Sequence, residues 1–178
     1  MTLTKPMQTL ILGGARSGKS RYAEQLALQS QKSVVYIATA QAQDAEMQAR
    51  IAHHQASRPV EWLTLEEPLA LAATLAAYAQ PERLLLVDCL TLWLTNLLCL
   101  EDSEQRLNSE LRALYALLPQ LPGELLLVSN ETGLGVVPMG ELTRRYVDEA
   151  GRMHQHLAAQ VQQVIFMLAG LPQVLKTL

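Results

Sequence analysis

Residues 9–21 read TLILGGARSGKSR, an apolar run followed by a glycine-rich segment that ends in lysine, serine and arginine. The spacing Gly13-x-x-x-x-Gly18-Lys19-Ser20 is that of a Walker A phosphate loop, whose glycines let backbone N–H groups converge on phosphate oxygens. The apolar run predicts a strand and Lys19 opens a helical pattern, which is the context that the motif requires. A ligand-free glycine turn is the alternative. We predict a nucleoside triphosphate site at Gly13, Gly14, Ala15, Arg16, Ser17, Gly18, Lys19 and Ser20.

Short apolar runs alternate with longer helical patterns along the rest of the chain. This rhythm predicts an α/β fold of the P-loop NTPase type, with a mostly parallel sheet covered by helices on both faces. The predicted strands are Thr9–Gly13, Ser33–Ala38, Glu61–Leu65, Leu84–Asp88, Glu124–Ser129 and Val164–Ala169, with a last short strand at Gln173–Lys176. The predicted helices are Lys19–Gln29, Ala42–Ala56, Pro68–Tyr78, Ser103–Leu118 and Gly140–Gln162.

Composition and length predict one domain over residues 1–178. Hydrophobic residues make up 49% of the chain and charged residues 17%, which is typical of a globular protein. The apolar stretch Leu84–Leu100 is interrupted by Asp88 and other polar residues, so it is expected to form a buried strand and a buried helix rather than a membrane span. Cys89 and Cys99 lack metal-ligand spacing and predict buried thiols. Without a signal-peptide pattern, we expect a cytoplasmic protein.

The net charge of −3 argues against a nucleic-acid partner, because such binding relies on a basic surface. The Asn-Lys-x-Asp motif with which GTPase switches read guanine is also missing. Its nearest candidate, Ser129-Asn130-Glu131-Thr132, has neither the lysine nor the aspartate. These observations argue against a nucleic-acid partner and against a GTPase switch.

Three side chains have a predicted role in phosphate and metal binding. Lys19 is expected to meet the β- and γ-phosphates, and Ser20 to coordinate Mg²⁺. Asp88 ends the apolar run 84–87, where an acidic residue completes the magnesium environment through water. An alternative for Asp88 is to cap the helix that begins near Leu90.

Two adjacent histidines, His53 and His54, lie near the end of the predicted helix Ala42–Ala56. Adjacent helical residues point about 100° apart, so the pair is poorly placed to chelate one metal ion. A histidine can instead attack phosphorus and form a covalent phosphoramidate. Arg50 and Arg58 lie one turn on either side of His54 and share its face. Exposed histidines favoured by the helix dipole are the alternative.

Together these motifs resemble the bifunctional adenosylcobinamide kinase / adenosylcobinamide-phosphate guanylyltransferase family of cobalamin biosynthesis. The resemblance covers nearly the whole chain. It rests on the phosphate loop through Arg21 and on the ordered segments 36–40, 50–54, 58–59, 87–91, 95–98, 129–135 and 151–155, which read YIATA, RIAHH, RP, VDCLT, TNLL, SNETGLG and GRMHQ.

This resemblance implies two reactions: phosphorylation of adenosylcobinamide with ATP or GTP, and transfer of GMP from GTP to adenosylcobinamide phosphate through a GMP-histidine intermediate. It places the nucleophile at His54, with His53 as the second choice. It also implies a homotrimer. The further nucleotide contacts that it implies are Ala38, Thr39, Ala40, Gln55, Ala56, Ser57, Arg58, Glu66 and Asp88.

The chain departs from the family pattern at Ala40, where a serine is common, so a contact there is expected to use the backbone. Without the family, Thr39 is also explained as a strand end and Glu66 as part of the first turn of a helix. The segment Asn130–Gly135 follows the fifth predicted strand and is expected to border the site, or to serve only as loop geometry. The sequence predicts no catalytic role for it.

Overall fold

Seven strands form one sheet in the computed structural model of the chain, which describes residues 6–41 and 59–178. Their order across the sheet is β3-β2-β4-β5-β1-β6-β7. All neighbouring strands are parallel except β6 and β7. The strands are β1 (Gln8–Gly13), β2 (Ser33–Ala38), β3 (Leu63–Glu66), β4 (Arg83–Asp88), β5 (Glu124–Asn130), β6 (Gln163–Leu168) and β7 (Leu171–Thr177).

Five α-helices and one short 3-10 helix (Leu118–Gln120) connect the strands within these described ranges. Together with the sheet they confirm the predicted fold class. None of these helices is long and apolar enough to cross a membrane. The α-helices are α1 (Lys19–Gln29), α2 (Leu71–Tyr78), α3 (Leu90–Leu98), α4 (Ser103–Leu117) and α5 (Glu141–Gln160).

Two hydrophobic cores form on opposite faces of the sheet. On one face, Ala23 and Ala27 of α1 pack against side chains such as Ile11 and Val128. Buried side chains of helices α2 to α5, Trp93 among them, pack on the other face. Strands β1, β4 and β5 are buried on both faces, which explains why they read as continuous apolar runs rather than alternating patterns.

Several predicted boundaries are wrong by a few residues. Helix α2 begins at Leu71 rather than Pro68, because the carboxylate of Glu67 accepts the backbone N–H groups of Leu69 and Ala70 in the preceding turn. Strand β3 begins at Leu63 and includes Glu66, which therefore ends a strand instead of opening a helix. The predicted helix Ala42–Ala56 lies outside the described residues.

The last strand is longer than predicted and runs antiparallel to β6 at the edge of the sheet. Ala169 was expected to end β6, but it lies in the turn between the two strands with φ 52°, followed by Gly170 with φ 80°. The backbone N–H of Gly170 donates to the carbonyl of Ser17 over 3.0 Å. The β6–β7 turn therefore rests directly against the phosphate loop.

Candidate active site

The carboxyl ends of four adjacent strands, β2, β4, β5 and β1, form the edge of the sheet at which the predicted site residues collect. The phosphate loop follows β1, and Asp88 ends β4. Strand β5 lies between them, with Asn130 paired with Gly13 and Val128 paired with Asp88. Ligands of open α/β sheets bind at this type of edge.

Two positions of the phosphate loop require glycine. Gly13 has φ 152°, and a Cβ added to it would overlap the carbonyl oxygen of Met167 on the neighbouring strand. Gly18 has φ 96° at the start of α1, where a Cβ would lie 3.3 Å from the Cα of Gly170. The loop between them leaves Ala15 and Arg16 exposed to solvent. The conformation of the phosphate loop therefore depends on Gly13 and Gly18 and on their contacts with β6 and the β6–β7 turn.

Lys19 is the buried cation of the loop. Its Nζ donates to the carbonyl of Gly14 over 2.6 Å and lies 3.5 Å from the hydroxyl of Ser17. Burial lowers the pKa of Lys19, and the nearby Cys89 and Asp88 act in the opposite direction. A partly desolvated ammonium of this kind attracts phosphate more strongly than one in water.

The carboxylate of Asp88 is held by a tyrosine from the neighbouring strand. The hydroxyl of Tyr36 donates to Oδ2 of Asp88 over 2.9 Å, and the ring of Tyr36 stacks on Trp62 with 6.5 Å between centroids. Helix α3 has Cys89 at its N-cap and no side-chain cap. The alternative interpretation of Asp88 as a helix cap is therefore wrong.

Ser20 lies in the first turn of α1 and is half-buried. A serine hydroxyl and a strand-end carboxylate are both oxygen donors, which suits Mg²⁺ bound together with phosphate oxygens and water. Asp88 lies close enough to Lys19 to favour the charged form of its ammonium, although burial outweighs this effect. The donor set of Ser20 and Asp88 therefore fits a magnesium ion that arrives with its nucleotide.

The segment after β2 packs into the site through Thr39. Its hydroxyl donates to the carbonyl of Cys89 over 2.6 Å and accepts the Cys89 N–H over 3.0 Å, and Asn96 Nδ2 donates to the Thr39 carbonyl over 2.9 Å. Thr39 is fully buried, so its side chain joins the ends of β2 and β4. Ala38 is paired with Glu66 across β2 and β3, and Ala40 is half-buried beyond them.

The structure thus places the loop residues, the segment 38–40, Glu66 and Asp88 along the same edge of the sheet, with Glu66 on β3 separated from the loop by β2, β4 and β5. The other predicted site residues, His54 and the segment Gln55, Ala56, Ser57 and Arg58, lie outside the described residues, as does His53. Their roles stay predictions.

A polar cluster next to the phosphate loop joins His154 to the end of β5 and the segment after it, for which the sequence predicted no catalytic role. His154 on α5 lies with Nε2 2.8 Å from the hydroxyl of Ser129 and Nδ1 3.6 Å from Oε2 of Glu131. Burial lowers the pKa of His154, and Glu131 partly opposes this. The backbone N–H of Glu131 donates to the carbonyl of Gly13 over 2.9 Å. The signal that could have found the cluster is a run of polar residues directly after a buried strand.

Comparison with known proteins shows which family the chain belongs to. Residues 9–175 match the sequence profile of a family described as cobinamide kinase / cobinamide phosphate guanyltransferase. The chain belongs to this family. It is an enzyme of the bifunctional type that this description names, and the predicted resemblance is confirmed.

Curated relatives cover almost the whole chain. A bifunctional adenosylcobalamin biosynthesis protein, CobP, from Pseudomonas aeruginosa is 65% identical over 170 residues, which is 96% of this chain and 98% of the relative. The CobU proteins from Escherichia coli and Salmonella typhimurium, which have the same bifunctional description, are each 40% identical over 93% of this chain and 97% of their own length.

Similar solved structures show the same fold at low sequence identity. The RadB recombinase is 17% identical with a TM-score of 0.51, over 90% of this chain and 73% of its own. A Pyrococcus horikoshii protein known as PH0250 is 8% identical with a TM-score of 0.57, over 97% of this chain and 87% of its own. At these identities, the likeness concerns the fold alone.

Proposed function

We propose that this family member phosphorylates adenosylcobinamide with ATP or GTP and then transfers GMP from GTP to adenosylcobinamide phosphate, giving adenosylcobinamide-GDP and pyrophosphate. The observation that carries the proposal is the placement of Lys19 and Asp88 at one sheet edge beside a phosphate loop, in a chain of this family. We further propose that residues 1–178 form one catalytic domain and that the protein works in the cytoplasm.

In the kinase step, the chain's main contribution is position and charge. The loop from Gly13 to Gly18 offers backbone N–H groups to the phosphates, and the Lys19 ammonium offsets the negative charge of the γ-phosphoryl group during transfer. Ser20 and Asp88 would hold Mg²⁺. When bound, the ion would neutralise charge on the β- and γ-phosphate oxygens.

In the guanylyl transfer, His54 acts as the nucleophile. Its neutral imidazole attacks the α-phosphorus of GTP, the bond to the β-phosphate oxygen breaks and pyrophosphate leaves. A phosphate oxygen of adenosylcobinamide phosphate then attacks the same phosphorus and displaces the imidazole. Arg50 and Arg58, each four residues from His54 in the sequence, offset phosphate charge.

Labelling of the protein with GTP tests the nucleophile. With GTP labelled at the α-phosphate and no corrinoid, the wild-type chain should gain label that acid removes and alkali does not, as a phosphoramidate requires. His54→Ala should abolish the label and His53→Ala, the matched control, should retain it. Label lost only in His53→Ala would move the nucleophile to His53. An unlabelled wild type with intact kinase activity would contradict the transferase half of the proposal.

We also propose that the enzyme is a homotrimer, as the family resemblance implies. Large apolar side chains between β5 and α5 support an assembly, because Leu134, Val136 and Met139 are each at least 80% exposed in the isolated chain. Light scattering after size exclusion should give three times the mass of one chain. A monomer at micromolar concentration would contradict this.

A further inference from the structure

Strand β5 occupies the position between the two parts of the nucleotide site. Because the order is β4-β5-β1, the end of β5 lies between Asp88 and the phosphate loop. Its last residue, Asn130, is paired directly with Gly13. Gly13 has no side chain, so nothing on β1 at that register shields the Asn130 side chain from the loop.

The faces of the strands show which way the Asn130 side chain points. Side chains alternate along a strand, and Leu126 and Val128 of β5 belong to the core that packs on α1. Asn130 continues this row. By the same alternation, Asp88 follows Leu84 and Leu86 on the α1 face.

Lys19 lies on this face as well. It is buried on the same stripe of α1 as Ala23 and Ala27, which pack against the sheet. Three polar groups therefore lie on the α1 side of the sheet, at the carboxyl ends of β4, β5 and β1. They are the Lys19 ammonium, the Asp88 carboxylate and the Asn130 side-chain amide.

The backbone of Asn130 is anchored while its amide is available. The hydroxyl of Thr91, on α3, accepts the Asn130 N–H over 2.7 Å. In residues 6–41 and 59–178, no hydrogen bond joins the Asn130 side-chain amide to another residue. The side chain is half-buried, so its amide is accessible to a polar ligand atom that would provide the missing hydrogen bond.

We propose that Asn130 is a further catalytic residue, whose amide binds the γ-phosphoryl group and the attacking hydroxyl in the kinase step. An asparagine amide suits this task because its NH₂ donates to a phosphate oxygen while its carbonyl accepts from a hydroxyl. The proposal rests on the proposed function and adds to it a residue for only one of the two reactions.

The chemistry explains the restriction to the kinase step. The hydroxyl oxygen of the corrinoid substrate forms a bond to the γ-phosphorus and the bond from that phosphorus to the β–γ bridging oxygen breaks. The nucleoside diphosphate leaves with the electron pair, and the hydroxyl proton passes to water. In guanylyl transfer the reacting atom is the α-phosphorus, two phosphates away, and the charge that develops on the leaving pyrophosphate is greatest at the α–β bridging oxygen. An amide at the γ-phosphate therefore contributes far less to that step.

Two assays on the full-length enzyme separate the possibilities: steady-state kinase turnover with adenosylcobinamide, and the rate of protein labelling by α-labelled GTP at saturation. In Asn130→Ala the kinase kcat should fall about 100-fold, as for other removed transition-state donors. The KM for adenosylcobinamide and the labelling rate should stay within about threefold of wild type. Asn108→Ala, on the exposed side of α4, is the matched control and should change neither assay.

A kinase kcat within threefold of wild type in Asn130→Ala would overturn the proposal, and so would an equal fall in both assays by a folded variant. If Asn130→Ala does not fold, Asn130→Asp decides, because it keeps the shape but removes the donor and adds charge beside the phosphate. It should show the same selective loss of kcat. If the proposed function itself is wrong, the wild-type enzyme will lack kinase turnover or protein labelling. That result is distinct from a wrong role for Asn130, which appears only in the variants.

Discussion

The hydroxyl of Tyr36 on β2 donates a hydrogen bond to Oδ2 of Asp88 at the end of β4, with 2.9 Å between the oxygens. Since Tyr36 is buried and stacks on Trp62, its hydroxyl has little freedom, and the bond fixes the orientation of the carboxylate. The Tyr36–Trp62 pair thereby fixes the orientation of an acidic group at the proposed nucleotide site.

Replacing Tyr36 with phenylalanine tests this relationship. Tyr36→Phe retains the stacked ring but removes a hydrogen bond to a charged group, which contributes about 1.5–3 kcal/mol. We expect the Mg²⁺ concentration for half-maximal kinase activity to rise about tenfold, measured by titrating Mg²⁺ at fixed nucleotide. Tyr78→Phe on α2 is the control and should leave the titration unchanged. Identical titrations for wild type and Tyr36→Phe would show that the bond does not position the carboxylate.

Lys19 should matter for binding more than for folding. Lys19→Met removes the ammonium that faces the phosphates, so affinity for a non-hydrolysable GTP analogue should fall at least about 100-fold by calorimetry. Because burial already disfavours this charge, the thermal midpoint without nucleotide should not fall. Lys32→Met is the control, because Lys32 lies outside the loop and pairs with Glu124 over 3.3 Å. This variant should keep wild-type affinity. Unchanged affinity in Lys19→Met would contradict the predicted triphosphate site.

His154 should make stability depend on pH. Burial lowers its pKa in the folded protein, so below the ordinary value of about 6.5 the unfolded chain takes up a proton that the folded chain does not. The contribution of His154 to the free energy of unfolding is therefore complete above about pH 6.5 and declines as the pH falls below this value. The slope is at most about 1.4 kcal/mol per pH unit. Urea unfolding between pH 7.5 and 5.5 measures this decline.

Two histidine variants on the same helix give the comparison. His154→Gln keeps a donor near the Ser129 hydroxyl but cannot titrate, so its stability should fall less steeply toward low pH. His156→Gln changes an exposed ring only two residues away and should keep the wild-type slope. Parallel curves for His154→Gln and wild type would show that His154 does not cause the decline.

Alanine substitutions at two glycines should change the free energy of unfolding in opposite directions. Gly151 lies inside α5 and an added Cβ would have no heavy atom within 4 Å, so Gly151→Ala should raise the free energy of unfolding by about 0.5–1 kcal/mol. Gly13→Ala should lower it, because the Cβ would overlap the Met167 carbonyl and lie 2.8 Å from the Ser17 hydroxyl. Denaturant unfolding without nucleotide measures both. A stable Gly13→Ala would mean that β1 and β6 can move apart.

The fold and the identity of the family were predictable from particular segments of the sequence. The apolar runs of β1, β4 and β5 are continuous because both faces of those strands are buried, and this pattern predicts a parallel sheet without further information. The limits of α2 were not predictable in the same way, because they depend on the Glu67 carboxylate accepting two backbone N–H groups. The order of the strands is likewise a property of long-range pairing.

The sequence by itself determined the phosphate loop motif, the α/β class and the family, since each depends on residues that are close in the chain or on regular spacing. Only the tertiary structure decided that Asn130 is paired with Gly13 on a strand between β1 and β4, that Tyr36 holds Asp88, and that His154 meets Ser129 and Glu131. These contacts join residues from 23 positions apart, for Glu131 and His154, to 117 positions apart, for Gly13 and Asn130. No local pattern encodes them, because they follow from the strand order and from which face of each strand a side chain occupies.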